Sequence, residues 1–371
     1  MRNRYILLAI CVLLGYGCAP SLEPQRRAIS LSVSSGDVTI DNTLATKADD
    51  AGAGEQLVSA DPFTGKPSVN NPLDVALWLS STPGKFSHDP QAPQYLPCLT
   101  TAVYKSSAQI DIRCEDQLVL YPIASDHNYS EIGGDVYCVG FHPSTGWDEG
   151  SASSSSHAIN GSEDLMLADQ MKGSYSSNFG AQKYEHLLTW VKLNVKATSV
   201  QTAGVWGDVE SMKIVSPNST VSVAFASSEQ DGDPSSDLSS TISYTGDPVT
   251  FPLALPEKTG LNITLKTFAQ AFCAPPAMAK KNAQGKYEYV SSPDDETTGY
   301  GYIVRVKTKN LAEKEVFIEL KAEDNETNIT DPKDAAGKLF VLTLQFNEVA
   351  VIEGVCTLKQ WDDQISDIYL Q

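Results

Sequence analysis

The chain has 371 residues, with 46 acidic and 27 basic side chains, so its formal net charge is −19 at pH 7. A surface this acidic repels the phosphates of nucleic acids and of anionic membranes, which argues against both as partners. The length is sufficient for two domains that each bury a hydrophobic core without help from disulfides.

The first residues have the pattern of an export signal. Arg2 and Arg4 precede an apolar run of 13 residues at positions 5–17, which is too short to cross a bilayer, since about 20 residues are needed. The run ends at Gly17 and is followed by Cys18, as in bacterial lipoprotein signals, which are cleaved before a cysteine that becomes lipidated. We predict a signal peptide at 1–17 and a lipid on Cys18. Ordinary secretion with Cys18 buried or paired is the alternative, because Gly15 stands where such signals usually have leucine.

Alternating apolar and polar residues then predict strand after strand. The first is "AISLSVSSGDVTI", which alternates from Ile29, and it is followed by "TAVYKSSAQIDIRC", "QLVLYPIA" and "DVYCVGF". Later strands are predicted at "LLTWVKLNVKAT", "SMKIVS", "STVSVAFA", "LNITLKTF", "GYIVRVKTK", "EVFIELKA" and "LFVLTLQFNEVAVI". Clusters of Gly, Pro, Asn, Asp and Ser separate them and predict turns. The pattern favours an all-β protein of two sandwich-like domains.

Three segments depart from this pattern. "NPLDVALWLS" and "SEDLMLADQM" are each predicted to form one or two turns of helix, and the serine run "EGSASSSSHAING" is predicted to be a long surface loop. A polar gap at Lys172–Tyr184 predicts a domain boundary. We therefore divide the chain into a signal peptide at 1–17, a tether and first strand at 18–47, and sandwich domains at 48–180 and 181–371.

The sequence contains no recognisable constellation for catalysis. It has no zinc-protease, serine-hydrolase, phosphate-loop or dinucleotide-binding motif, and its histidines lack metal-ligand spacing. We expect no enzymatic activity, cofactor or metal. Five cysteines lie beyond the signal: Cys98, Cys114, Cys138, Cys273 and Cys356. The first two could form a disulfide, and buried free thiols are at least equally compatible with the sequence, so the pairing stays open. The tryptophans favour core positions over a sugar-binding platform.

Four motifs occur in a fixed order along the chain. They are "VYCVGFHPSTGW", "EDLMLADQMKGS", "YEHLLTWVKLNVKA" and the terminal "LKQWDDQISDIYLQ", with "TKADD" near the start. Together with the N-terminus, the set resembles the fimbrillin families of the Bacteroidetes, whose members are lipoprotein precursors of pilus subunits or tip adhesins. The resemblance implies two transthyretin-like β-sandwich domains in tandem, export to the outer membrane through lipidated Cys18, and assembly by strand exchange with other pilus subunits.

The resemblance also implies a cut after Arg or Lys by a trypsin-like protease. Between Arg27 and Lys66 the only basic residue is Lys47, a short distance beyond the first predicted strand, which ends at Ile40. A cut at Lys47 would remove that strand and expose an apolar groove with unpaired backbone groups, whereas a cut at Arg27 would release the lipid and keep the strand. Lys47 is the predicted site, with Arg27 and an uncut chain as alternatives.

A strand near the C-terminus would be the donor that fills a neighbour's groove, with Ile365, Ile368 and Leu370 as its groove-filling side chains. Their spacing is not strictly alternating, so a stalk, an anchor and a tip role all stay open. Subunit contacts could build a homo- or hetero-polymer, and a tip subunit would bind a host or bacterial surface ligand. The alternative function is that of an outer-membrane, glycan-binding lipoprotein, which requires exposed tryptophans on one face.

Overall fold

The computed structural model describes residues 29–35, 56–60, 62, 75–80, 82–86, 95–96, 118–120, 135–151, 153–173, 181–226, 238–292, 298–320, 332–348 and 351–360. These residues form strands with one short α-helix, α1 (Val200–Trp206), and one 3₁₀ helix (Pro332–Ala335). The strands are β1 (Ile29–Ser35), β2 (Ala76–Ser80), β3 (Tyr95–Leu96), β4 (Leu118–Leu120), β5 (Val136–His142), β6 (Asp148–Ser151), β7 (Ser154–Ala158), β8 (Met166–Gly173), β9 (Ala181–His186), β10 (Thr189–Ala197), β11 (Val209–Ser216), β12 (Thr220–Ala224), β13 (Thr241–Thr245), β14 (Val249–Pro252), β15 (Lys266–Cys273), β16 (Ala277–Lys281), β17 (Tyr287–Tyr289), β18 (Tyr300–Thr308), β19 (Lys314–Glu319), β20 (Lys338–Phe346) and β21 (Ile352–Gln360).

The first sandwich combines a seven-stranded sheet, in the order β3-β2-β5-β8-β9-β1-β4, with a four-stranded sheet in the order β13-β12-β7-β6. Aromatic side chains fill the space between the sheets. The ring of Phe141 on β5 lies 4.7 Å from Trp78, 4.6 Å from Trp147 and 6.2 Å from Phe225. Phe141 is completely buried, so this aromatic cluster forms the core of the sandwich.

The second sandwich combines the sheet β15-β10-β20-β21 with the sheet β14-β11-β18-β16-β17, in which β19 also pairs with β18. Strand β10 runs parallel to β20 and antiparallel to β15. Tyr302 on β18 and Phe340 on β20 meet edge to face, with ring centroids 5.5 Å apart, and both are fully buried. The predicted all-β sandwich fold is confirmed. None of the described helices is long and apolar enough to cross a membrane.

The hairpin β12–β13 belongs to the first sandwich although it lies late in the chain. Strand β12 pairs antiparallel with β7, with Ser222 opposite Ser156. Phe225, directly after β12, packs against Phe86 at a centroid distance of 5.0 Å. The sheet therefore joins residues on both sides of position 180, and the predicted boundary there stays a prediction.

The two predicted helical segments are strands instead. "NPLDVALWLS" contains β2, and "SEDLMLADQM" runs into β8. Three consecutive residues of β8, Met166, Leu167 and Ala168, are buried, because a central strand packed on both faces carries a continuous apolar run rather than an alternating one. Such a run has no period of two, so the pattern of the sequence does not identify it as a strand.

The predicted serine loop is also a correction, since it forms the hairpin β6–β7. Burial alternates along β7, with Ser155 and His157 buried. Ser155 Oγ donates a hydrogen bond of 3.0 Å to the carbonyl of Asp148, and His157 Nδ1 and Nε2 lie 2.7 and 3.2 Å from two backbone carbonyl oxygens. Because these buried polar groups have partners, a polar sequence can occupy a sheet.

Candidate functional site

The first strand lies inside the larger sheet of the first sandwich. Strand β1 pairs parallel with β9, from Ser32 opposite Ala181 to Ser35 opposite Tyr184, and antiparallel with β4, where Ile29 faces Leu120. The strand predicted from Ile29 is thus confirmed over Ile29–Ser35. In the sheet order, β4 is connected to β9 only through β1.

The predicted processing and donor residues lie outside the part of the chain that the structure describes, and they stay predictions. They are Cys18, Arg27, Lys47, Ile365, Ile368 and Leu370. Cys98 and Cys114, whose pairing the sequence leaves open, lie outside it as well. The last described strand, β21, ends at Gln360, directly before the predicted donor segment.

Cysteines and tryptophans of the described residues are core residues. Cys138, Cys273 and Cys356 are buried thiols, and burial raises the pKa of the Cys273 thiol. The four described tryptophans are between 1% and 6% exposed: Trp78, Trp147, Trp190 and Trp206. Stacking on a sugar ring needs an exposed aromatic face, so these four do not form the platform that a glycan-binding function requires. Trp361 lies beyond the described residues.

A cleft of about 640 Å³ opens between β8 and β9 on one side and β13 on the other. Its lining residues come from β8, β9, β13 and the segments beside them: Leu167, Asp169, Gln170, Met171, Glu185, His186, Leu187, Ser239, Ser240, Ile242, Tyr244 and Ala336. The sequence alone gave no indication of this cleft, because its walls come from segments that are distant in the chain.

Hydrogen bonds fix the two walls of the cleft to each other. The Asp169 carboxylate accepts bonds from the Ser240 backbone N–H at 2.8 Å and from its hydroxyl at 2.6 Å. The Tyr244 hydroxyl donates to the carbonyl of Leu187 at 2.5 Å, and burial raises the pKa of Tyr244, which keeps this donor protonated. The cleft is therefore preformed.

A buried contact between an aspartate and a histidine lies beside the cleft. His186 Nδ1 is 3.0 Å from Asp164 Oδ1 and 2.9 Å from Oδ2, and the side chains are 4% and 1% exposed. The pairing of β8 with β9, which places Met166 opposite His186, brings the two residues together. No sequence motif links them. In the described residues, no cluster of three His, Cys, Asp or Glu side chains is arranged to hold a metal ion.

No protein-family model and no curated protein matches the chain. Similar solved structures include a candidate cell adhesion protein from Bacteroides uniformis, at 10% identity and a TM-score of 0.41, covering 90% of this chain and 99% of that one. A fimbrial protein from Bacteroides vulgatus has 10% identity and a TM-score of 0.38, with 90% and 99% coverage. The fimbrial anchor protein Mfa2 from Porphyromonas gingivalis has 8% identity and a TM-score of 0.36, with 90% and 98% coverage.

These neighbours are adhesion and fimbrial proteins, at low sequence identity. Their TM-scores lie below 0.5. We therefore base the proposed function on this chain's own motifs and strand pairing.

Proposed function

We propose that the chain is a structural subunit or tip adhesin of a cell-surface pilus, without catalytic activity. In this proposal it is exported as a lipoprotein precursor anchored to the outer membrane through Cys18. It is then matured by cleavage after Lys47 and assembles with other pilus subunits by β-strand exchange. The observation that carries the proposal is the position of β1 between β9 and β4, upstream of Lys47 in the chain.

Cleavage after Lys47 would break the covalent connection between β1 and the part of the chain that contains all the other described strands. Loss of β1 would then leave backbone N–H and C=O groups of β9 and β4 without their partners, and unpaired backbone groups at a strand edge favour pairing with another chain. A donor strand from a neighbouring subunit restores those hydrogen bonds, which is β-augmentation. Cleavage after Arg27 would keep β1 attached and the groove filled.

The experiment is mass spectrometry of the N-terminus of protein recovered from cells that assemble pili. We expect the mature chain to begin at Ala48, and we expect Lys47→Gln to give an uncut chain that stays monomeric. Lys66→Gln is the matched control, because it removes the next lysine and should leave processing unchanged. A mature protein that retains lipidated Cys18 together with β1, or a cut chain that stays monomeric, would contradict the proposal.

A further inference from the structure

Among the described strands, β13 lies at an edge of the first sandwich, beside the cleft. Strand β13 pairs with β12, and no other described strand pairs with it. Burial alternates along β13: Ile242 and Tyr244 are half-buried, whereas Thr241, Ser243 and Thr245 are exposed. An edge strand of this kind has one row of backbone groups available to an added strand.

The cleft next to this edge has an apolar floor. Leu167 and Leu187 are 4% and 2% exposed, and Met171 and Ile242 are half-buried. All four line the cleft. In an added strand, every second side chain would point towards this floor, so the cleft suits a segment with alternating apolar side chains or aliphatic stems.

The charge of the residues that line the cleft determines which of these segments can bind. Its carboxylates are those of Asp169 and Glu185, and none of the lining residues is Lys or Arg. Glu185 is exposed, and the whole chain carries a charge of −19. A negative lining attracts a cationic segment and repels an acidic one. The chain's own C-terminal residues 361–371 contain three aspartates and no basic residue, so the negative lining would repel them and they are not the expected occupant of the cleft.

We propose that this cleft binds an extended, basic segment of a partner protein. The segment adds to β13 as a further strand, packs the aliphatic stem of a lysine or arginine against Leu167 and Ile242, and places its cationic group near Glu185. The site lies between the facing sheets, whereas β1 occupies its place on the far side of β9. Binding here therefore does not require removal of β1, and it is independent of strand exchange.

The test is fluorescence anisotropy with the full, uncut chain and a fluorescein-labelled probe peptide, Thr-Val-Thr-Lys-Thr-Val-Thr. We expect saturable binding that weakens about tenfold in Glu185→Lys, because this substitution replaces the negative charge that faces the cation with a positive charge. Glu257→Lys makes the same charge change at an exposed position away from the cleft and should leave binding unchanged.

Two altered peptides separate the contributions of charge and backbone without changing the protein. A probe with glutamate in place of its lysine should not bind, and a probe N-methylated at alternate residues should lose binding because it lacks the donors for β13. Absence of saturable binding by the first probe, or equal binding to the Glu185→Lys chain, would overturn the proposal. Because the chain is uncut throughout, neither result depends on cleavage after Lys47.

Discussion

Asp164 and His186 form a side-chain hydrogen bond that is almost completely buried, next to the cleft. The residues that follow them are joined through the backbone, since the N–H of Leu187 donates to the carbonyl of Leu165 at 2.7 Å. Removing one partner of a buried hydrogen bond leaves the other polar group without a partner, which costs more free energy than the bond contributes. The pair therefore fixes the junction between β8 and β9.

Replacing Asp164 tests this role. We expect Asp164→Ala to lower the free energy of unfolding by about 1–3 kcal/mol, measured by chemical denaturation. Asp164→Asn keeps an acceptor for His186 Nδ1 and should lose less. Glu210→Ala, which breaks the exposed Lys307–Glu210 pair of 2.6 Å, is the control and should cost less than about 1 kcal/mol. A loss for Asp164→Ala no larger than for Glu210→Ala would exclude a structural role for the pair.

The type of residue predicts burial at some positions, whereas the contact between Asp164 and His186 has no such signal. The burial of Cys273 and Trp190 agrees with the apolar character of their side chains, although both lie on strands in which buried residues follow one another without alternating. The Asp164–His186 pair depends on how β8 and β9 align, and strand register is a property of tertiary packing that a single sequence does not display.

At the level of elements, alternation is sufficient where buried and half-buried residues follow each other in turn. Strand β20 alternates in this way from Leu339 to its end, and its sequence predicts a strand. Strand β8 is buried on both faces at its start, and β7 begins with three serines, so their sequences lack the alternation of apolar and polar residues. The cleft walls could not be predicted either, because β13 and β8 meet only in the folded chain.

Close strand packing can be tested with one substitution at two glycines. A Cβ on Gly301 of β18 would lie 2.1 Å from the carbonyl oxygen of Ile318 on β19, whereas a Cβ on Gly204 of α1 would have no atom within 4 Å. We expect Gly301→Ala to destabilise the protein by about 1–3 kcal/mol, because the backbone of β19 must shift. Gly204→Ala should stabilise it by up to about 1 kcal/mol, because alanine is the better helix former.

Thermal or chemical denaturation of both variants would measure these changes side by side. Opposite signs are expected from the same added methyl group. Equal effects at Gly301 and Gly204 would mean that β18 and β19 are not as closely packed as described.

At the level of the whole molecule, strands distant in the chain share one core. The hairpin β12–β13 provides half of a four-stranded sheet whose other half is β6–β7. Phe225 then joins the aromatic cluster around Phe141. Neither hydrophobic periodicity nor the polar gap at 172–184 contains this information, because both are local properties of the sequence. We therefore expect the stability of the first sandwich to depend on residues beyond position 180.

Phe225→Ala tests this dependence. Phe225 is 6% exposed, and truncating a buried phenylalanine costs about 3–5 kcal/mol. The effect should appear across the predicted boundary. In hydrogen exchange followed by mass spectrometry, we expect faster exchange in β2 and β5, which carry the ring partners Trp78 and Phe141 of the aromatic cluster. Exchange in β18 and β19 should change less.

Phe317→Ala is the matched control, because Phe317 lies on β19 and packs against Tyr287 with ring centroids 5.5 Å apart. It should accelerate exchange in the second sandwich and leave β2 and β5 unaffected. If Phe225→Ala changed exchange only within residues 181–371, the hairpin would contribute nothing to the first core. The two halves would then be stable independently, as the boundary at 180 assumes. Acceleration in β2 and β5 would instead mean that a chain ending at 180 lacks part of its own core.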